Sequence, residues 1–174
     1  PMPTLSENTQ VLTGQSIASI PAPFRIGIIG YGKMGQIHYK NLKARSGVKI
    51  VSIAEPNIAN RTGLDEGIEQ HADWQKIVAD DSLDAVVITL PHSMHADCAK
   101  QALAAGKHVF LEKPLATNLD DAREIVKAAQ LCGKTLMVNM THRFYPPVRT
   151  ARRMIQEGLL GAVISVHDHY MEVI

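Results

Sequence analysis

Cysteine is nearly missing from this chain: there are two in 174 residues, Cys98 and Cys132, with no C-x-x-C pair and no histidine cluster beside either. Disulfide staples and a thiolate zinc site are thereby excluded, and both residues are expected to be reduced thiols packed inside helices. Charge of one sign is lacking as well. Eighteen Lys and Arg against seventeen Asp and Glu leave a formal net charge of +1, so no global field draws in nucleic acid or an anionic membrane. Long apolar runs are also absent: stretches such as Gly158 to Val166 fall far short of the roughly 18 residues a membrane helix needs. The first basic residue is Arg25, which leaves neither a positive n-region nor an Arg-rich leader, so the expected compartment is the cytoplasm. What remains is 45% hydrophobic and 20% charged, the balance of one soluble globular domain long enough to bury a core.

Residues 1–23 hold four prolines and many Ser, Thr, Asn and Gln without a helical or strand period, which predicts an extended or disordered arm. From Phe24 onward, short β-branched runs alternate with longer stretches of helical period. This is the α/β pattern of stacked βαβ units, a parallel sheet with helices on both faces. The runs are Ile26 to Ile29, Val48 to Ala54, Ala85 to Leu90, His108 to Leu111 and Thr135 to Val138, nearly all apolar as doubly covered strands must be. A helix is expected from Ser93, as cap, to Ala105, with Gly106 closing it. A second follows Asn118 to Cys132, with Asp120 and Asp121 at its positive end and Gly133 after it. Beyond Pro146 and Pro147 a helix is expected over Val148 to Gln156, then a strand from Ala162 to Val173.

Gly30-Tyr31-Gly32-Lys33-Met34-Gly35 places G-x-G-x-x-G between the first strand and the first helix, the context that gives this motif its meaning. Gly30 permits the tight turn, Gly32 lets backbone amides approach a pyrophosphate, and Gly35 lets helix and strand pack closely. The helix N-terminus attracts the anion. An acid about 20 residues on, at the end of the second strand, is the second requirement; Glu55 meets it, since 55 − 35 = 20. Its carboxylate can accept hydrogen bonds from the adenosine ribose hydroxyls and would repel a 2′-phosphate, which favours NAD over NADP. Gly133-Lys134-Thr135 is not a P-loop, because position 128 is Ala where that motif needs Gly.

Glu112-Lys113-Pro114 follows the fourth apolar run, at the strand edge where ligands of open α/β sheets collect. An arbitrary Glu-Lys pair is a surface ion pair worth little. At this edge Lys113, held by Pro114, has a second reading: desolvation beside a cationic nicotinamide ring favours the neutral amine needed for acid/base work.

Taken with the glycine loop, the segments Thr89-Leu-Pro91-His-Ser-Met-His95, Ala104 to Ala116, Arg143-Phe-Tyr-Pro146 and Gly158-Leu-Leu-Gly161 resemble the N-terminal part of the glucose-fructose oxidoreductase, inositol dehydrogenase and rhizopine-catabolism (Gfo/Idh/MocA) family. The resemblance runs from about Arg25 to the last residue. It implies a Rossmann domain followed by an α+β substrate domain, and hydride transfer between nicotinamide and a sugar, a cyclitol or a related hydroxyl or carbonyl compound. By resemblance, Lys113 hydrogen-bonds the reacting oxygen and assists proton transfer, while Glu112 touches the nicotinamide ribose or orients the lysine. Thr89, Leu90 and Pro91 form the loop over the cofactor, His95 caps the next helix near it, and Asn139 and Arg143 approach the nicotinamide end.

Two departures stand out. His92 occupies a position where the family often has Asn, giving H-x-x-H with His95; with no third ligand nearby, His92 reads as a cofactor-loop residue and no metal is expected. Family members are also longer, so 24–143 reads as the dinucleotide-binding domain and 144–174 as a linking helix and the first strand of a truncated substrate domain. His167-Asp168-His169 does not replace the family's later Asp and His, because alternate residues of a strand share a face, which puts His167 and His169 together and turns Asp168 away. The expected partners are a small sugar or cyclitol and, through the open edge of the last strand, a second copy of the chain in a homo-oligomer. The rival reading is a non-catalytic NAD-binding regulatory module or a truncated gene product, which would bind the dinucleotide without turnover.

Overall fold

The computed structural model describes residues 23–167; the arm expected before residue 23 and the end of the last expected strand lie outside that range. The β-branched runs form β1 (Phe24–Ile29), β2 (Val48–Ala54), β4 (Ala85–Ile88), β5 (His108–Leu111) and β6 (Leu136–Val138), with a short β3 (Glu69–His71) added at one edge. All neighbours pair in parallel in the order β3-β2-β1-β4-β5-β6, the doubly wound order of dinucleotide-binding folds. The helices are α1 (Lys33–Lys43), α2 (Gln75–Val78), α3 (His95–Ala104), α4 (Leu119–Cys132) and α5 (Pro146–Gln156).

Alternation along the central strands divides the core between the two sheet faces. Ile29, Val86, Ile88 and Leu111 pack with Cys98, Ala102 and Leu103 of α3 and Ile125 and Ala129 of α4. On the other face, Ile26, Ile28, Ile53 and Val87 pack with Tyr31 and with Tyr39 of α1. Lys107 is buried ahead of β5, its Nζ donating to the carbonyls of Asp80 at 2.6 Å and Leu83 at 3.4 Å. Its desolvation pushes the pKa below the usual lysine value.

Several expectations need correction. β3 is Glu-Gln-His, a polar edge strand without the apolar run that marks the others. β4 ends at Ile88 rather than Leu90, because the chain turns away at Thr89. Ser93 does not cap a helix: His92–Met94 form a 3-10 turn, and α3 starts at His95 with no side-chain cap. Cys98 is buried, which pushes its thiol up to about 12, whereas Cys132 is exposed at the end of α4 and is not packed. Residues 162–167 form no strand, and the rest of that expected run, with Asp168 and His169, lies outside the described residues.

The chain divides into two compact units, one ending at Asn139 and the other beginning at Met140, whereas the sequence placed the boundary after 143. The second unit holds a 3-10 turn (Thr141–Phe144) and α5, which starts on Pro146 and Pro147, positions where a missing N–H costs nothing. Among the described residues no helix is long and apolar enough to cross a membrane.

α4 has the capping that the sequence announces. Asn118 Oδ1 accepts from Asp121 N at 2.8 Å, and Gly133 closes the helix at φ 62°. Asn118→Ala is expected to lower the unfolding free energy by about 1 kcal/mol; denaturant melts of the two proteins check it.

Candidate functional site

The strand order reverses between β1 and β4, and at such a switch point the loops diverge and leave a crevice beyond the strand ends. Here it is a cleft of about 650 Å³. Gly30 and Gly32 line it after β1, Glu55 and Pro56 after β2, and Thr89, Leu90 and Pro91 after β4, with Trp74 and Met94 completing the wall.

The three motif glycines are required for different reasons. Gly30 has φ +88°, and a Cβ there would lie 2.8 Å from the Thr89 carbonyl oxygen. A Cβ on Gly35 would run into the Gly30 carbonyl. Among the described residues nothing lies within 4 Å of where a Gly32 Cβ would be, so no packing among them demands glycine there, and Gly32 lines the cleft. The first α1 hydrogen bond runs from Gln36 N to the Gly32 carbonyl, leaving the N–H groups of Lys33, Met34 and Gly35 without an acceptor among the described residues. Unpaired amides at a helix start, beside a position open to close approach, suit a pyrophosphate. Lys33 and Met34 are exposed. The Tyr31 side chain turns into the core, edge-on to Tyr39 at 5.6 Å, and burial pushes its hydroxyl up to about 12; only its backbone serves the loop.

Glu55 is 8% exposed and already carries structural bonds. Its Oε2 accepts from Tyr31 N at 2.9 Å and its Oε1 from Asn57 N at 3.0 Å. Each oxygen keeps a lone pair for a ligand hydroxyl. Arg61, which the sequence did not single out, donates from Nε to the Glu55 carbonyl at 2.7 Å.

Across the cleft, Thr89 Oγ1 donates to the Gly30 carbonyl at 2.7 Å, tying the β4 loop to the glycine loop. His92 is exposed, whereas His95 is wholly buried. The two rings meet at 5.5 Å, but the His95 nitrogens lie 2.8 Å from the Pro114 carbonyl and 2.9 Å from that of Leu90. His95 therefore does not cap α3. It ties the loop after β4 to the Glu-Lys-Pro segment.

At the end of β5 only one of the two charges is buried. Glu112 is 5% exposed, and its Oε1 receives His38 Nε2 at 2.7 Å and Asn139 Nδ2 at 2.6 Å, while Oε2 accepts from Lys113 N at 3.2 Å. Burial raises the pKa of this carboxyl, but the bonds from His38, Asn139 and the Lys113 amide outweigh it and hold it below the ordinary value of 4.5. Lys113 is exposed and has no ion-pair partner among the described residues, so the desolvation expected for it is not supplied by them. Arg143 lies in the second unit, on the turn Thr141–Phe144.

His38 and Trp74 were missed in the sequence. Gly35, His38, Tyr39 and Leu42 recur at helical spacing, which puts His38 on the inward face of α1 and was the available signal. Trp74 is the one tryptophan of the chain, but nothing local points it at the cleft.

The model of a family described as "Oxidoreductase family, NAD-binding Rossmann fold" (Gfo/Idh/MocA) matches residues 24–140. Among curated proteins, the chain is similar to the scyllo-inositol 2-dehydrogenase (NAD(+)) of Bacillus subtilis, 32% identical over 80% of this chain and 42% of that one. It is also similar to the rhizopine catabolism protein MocA of Rhizobium meliloti, 31% identical over 82% and 45%. Among solved structures, myo-inositol 2-dehydrogenase from Lactobacillus plantarum superposes with a TM-score of 0.74 at 25% identity, over 82% of this chain and 43% of that one. The chain spans less than half the length of these relatives.

The glycine geometry separates packing from binding. Gly35→Ala is expected to cost about 1–3 kcal/mol of stability through overpacking. Gly32→Ala should stay within about 1 kcal/mol of the wild type yet lose affinity for ADP, as read by denaturant melts and calorimetry. The lowered Glu112 pKa gives a second expectation. Its stabilisation is present above pH 4.5 and is lost as pH falls below it. Glu112→Gln should therefore melt below the wild type near neutral pH and converge on it in acid; parallel melting curves across that range would count against ionisation held by these bonds.

Proposed function

Because the chain belongs to the Gfo/Idh/MocA oxidoreductase family, we propose that it forms the dinucleotide-binding part of an NAD-dependent dehydrogenase acting on a hydroxyl or carbonyl carbon of a sugar or cyclitol. Residues 24–143 are read as the cofactor domain and 144–174 as the opening of the substrate domain. The observation that carries the reading is Gly32: glycine stands where the described residues leave room for a side chain, in a cleft at the sheet's switch point.

Gly32 and the first amides of α1 cradle the pyrophosphate, and the spare lone pairs of Glu55 take the adenosine ribose hydroxyls. A 2′-phosphate there meets the Glu55 carboxylate, which favours NAD, while Arg61, bonded to the same residue's carbonyl, works in the opposite direction. When bound, the nicotinamide supplies the hydride acceptor or donor. Lys113, exposed at the end of β5, hydrogen-bonds the substrate oxygen and passes its proton, and Glu112 holds the nicotinamide ribose or orients that lysine. The loop Thr89-Leu90-Pro91, with His92, covers the cofactor; His95 and Asn139 secure the loop and the carboxylate from behind, and Arg143 is assigned to the nicotinamide end.

Trp74 on the cleft wall makes the test direct. Titration with NADH is expected to quench Trp74 emission and NADPH to bind about tenfold or more weakly, a gap of at least ~1.4 kcal/mol. Glu55→Ala should weaken NADH and narrow that margin. Lys113→Met should keep NADH affinity while lowering turnover on a sugar and cyclitol panel by about a hundredfold or more. Unchanged emission and heat on addition of either dinucleotide would overturn the reading.

A further inference from the structure

His38 is the polar group at this edge that the proposed chemistry leaves unused. It sits on α1, the helix whose first turn is assigned to the pyrophosphate, yet its ring reaches the far side of the β1–β4 switch point. Its Nε2 lies 2.7 Å from Glu112 Oε1, and its ring stands edge-on to Phe110 of β5 at 5.3 Å and 75°. A carboxylate oxygen only accepts, so the ring must present N–H at Nε2. Asn139 Nδ2 reaches the same oxygen at 2.6 Å. Oε1 thus takes two donors, one from α1 and one from the residue after β6, while among the described residues Oε2 accepts only the Lys113 amide at 3.2 Å and keeps a lone pair for a ligand.

We propose that His38 is a positioning residue: by holding Glu112 Oε1 it fixes the rotamer that turns Oε2 to the nicotinamide ribose. The inference rests on the cofactor reading above. A flexible carboxylate would have to be ordered at each binding event; one restrained by two donors is already ordered, and the gain appears in affinity for the nicotinamide half alone. The adenosine half, held by Gly32, the α1 amides and Glu55, does not depend on it.

Two amide variants separate positioning from mere packing. Gln places a side-chain N–H where His has Nε2–H, and Asn, one methylene shorter, does not reach Glu112. His38→Asn is expected to weaken NADH binding about tenfold and leave ADP affinity within about twofold, while His38→Gln retains most NADH affinity. Thermal melts of both variants are run alongside. NADH affinity unchanged in His38→Asn, equal losses for ADP and NADH, or equal losses in both variants would each overturn the proposal. Failure of the wild-type chain to bind NADH overturns the cofactor reading itself, and this inference with it.

Discussion

The arrangement at the ligand edge depends on how closely the first turn of α1 sits against β1 and the β4 loop. Gly35 and the Gly30 carbonyl leave no room for a methyl group between them, and Thr89 closes the third side by donating its hydroxyl to that same carbonyl. That contact sets the first turn of α1 directly after Gly32, which lines the cleft. It also brings Tyr31 N within 2.9 Å of Glu55, so the glycine loop and the end of β2 are fastened by one charge-assisted bond. Lifting the helix by a methyl group would loosen the turn, the loop and the acid together.

Two buried glutamates repeat one solution on either side of the switch point. Glu55 follows β2 and Glu112 follows β5, flanking the central β1–β4 pair. An isolated buried carboxylate is expensive. Each is stabilised by a backbone amide near in sequence, Asn57 N for one and Lys113 N for the other, together with donors from distant elements. The donors occupy part of each carboxylate and leave lone pairs over. The proposed dinucleotide carries a ribose on each side of its pyrophosphate, one for each of these acids.

Two histidines serve here as fastenings. Both His95 nitrogens face carbonyls from the loops after β4 and β5. His38, absent from every motif considered, makes the more consequential contact. Each residue joins a helix to a segment distant in sequence, so neither partner is visible from local pattern.

The sequence by itself determined the sheet and the position of the cleft. Val48–Ala54 and His108–Leu111 are strands with the boundaries their runs announce, because strands covered on both faces are built mainly of apolar residues. The glycine spacing placed the turn, and the acid after β2 placed one wall. β3 escaped notice because an edge strand three residues long needs no apolar run, and the 3-10 turn at His92–Met94 overrode the capping propensity of Ser93. Tertiary structure alone decided which polar groups are spoken for. Burial and partners separate Tyr31, its side chain turned into the core, from Glu55, a buried carboxylate that lines the cleft, and separate the buried Glu112 from the exposed Lys113 beside it. Hydrogen-bond partners 24 to 74 residues apart are set by how helices lie across a folded sheet, and residue spacing along the chain carries no record of that.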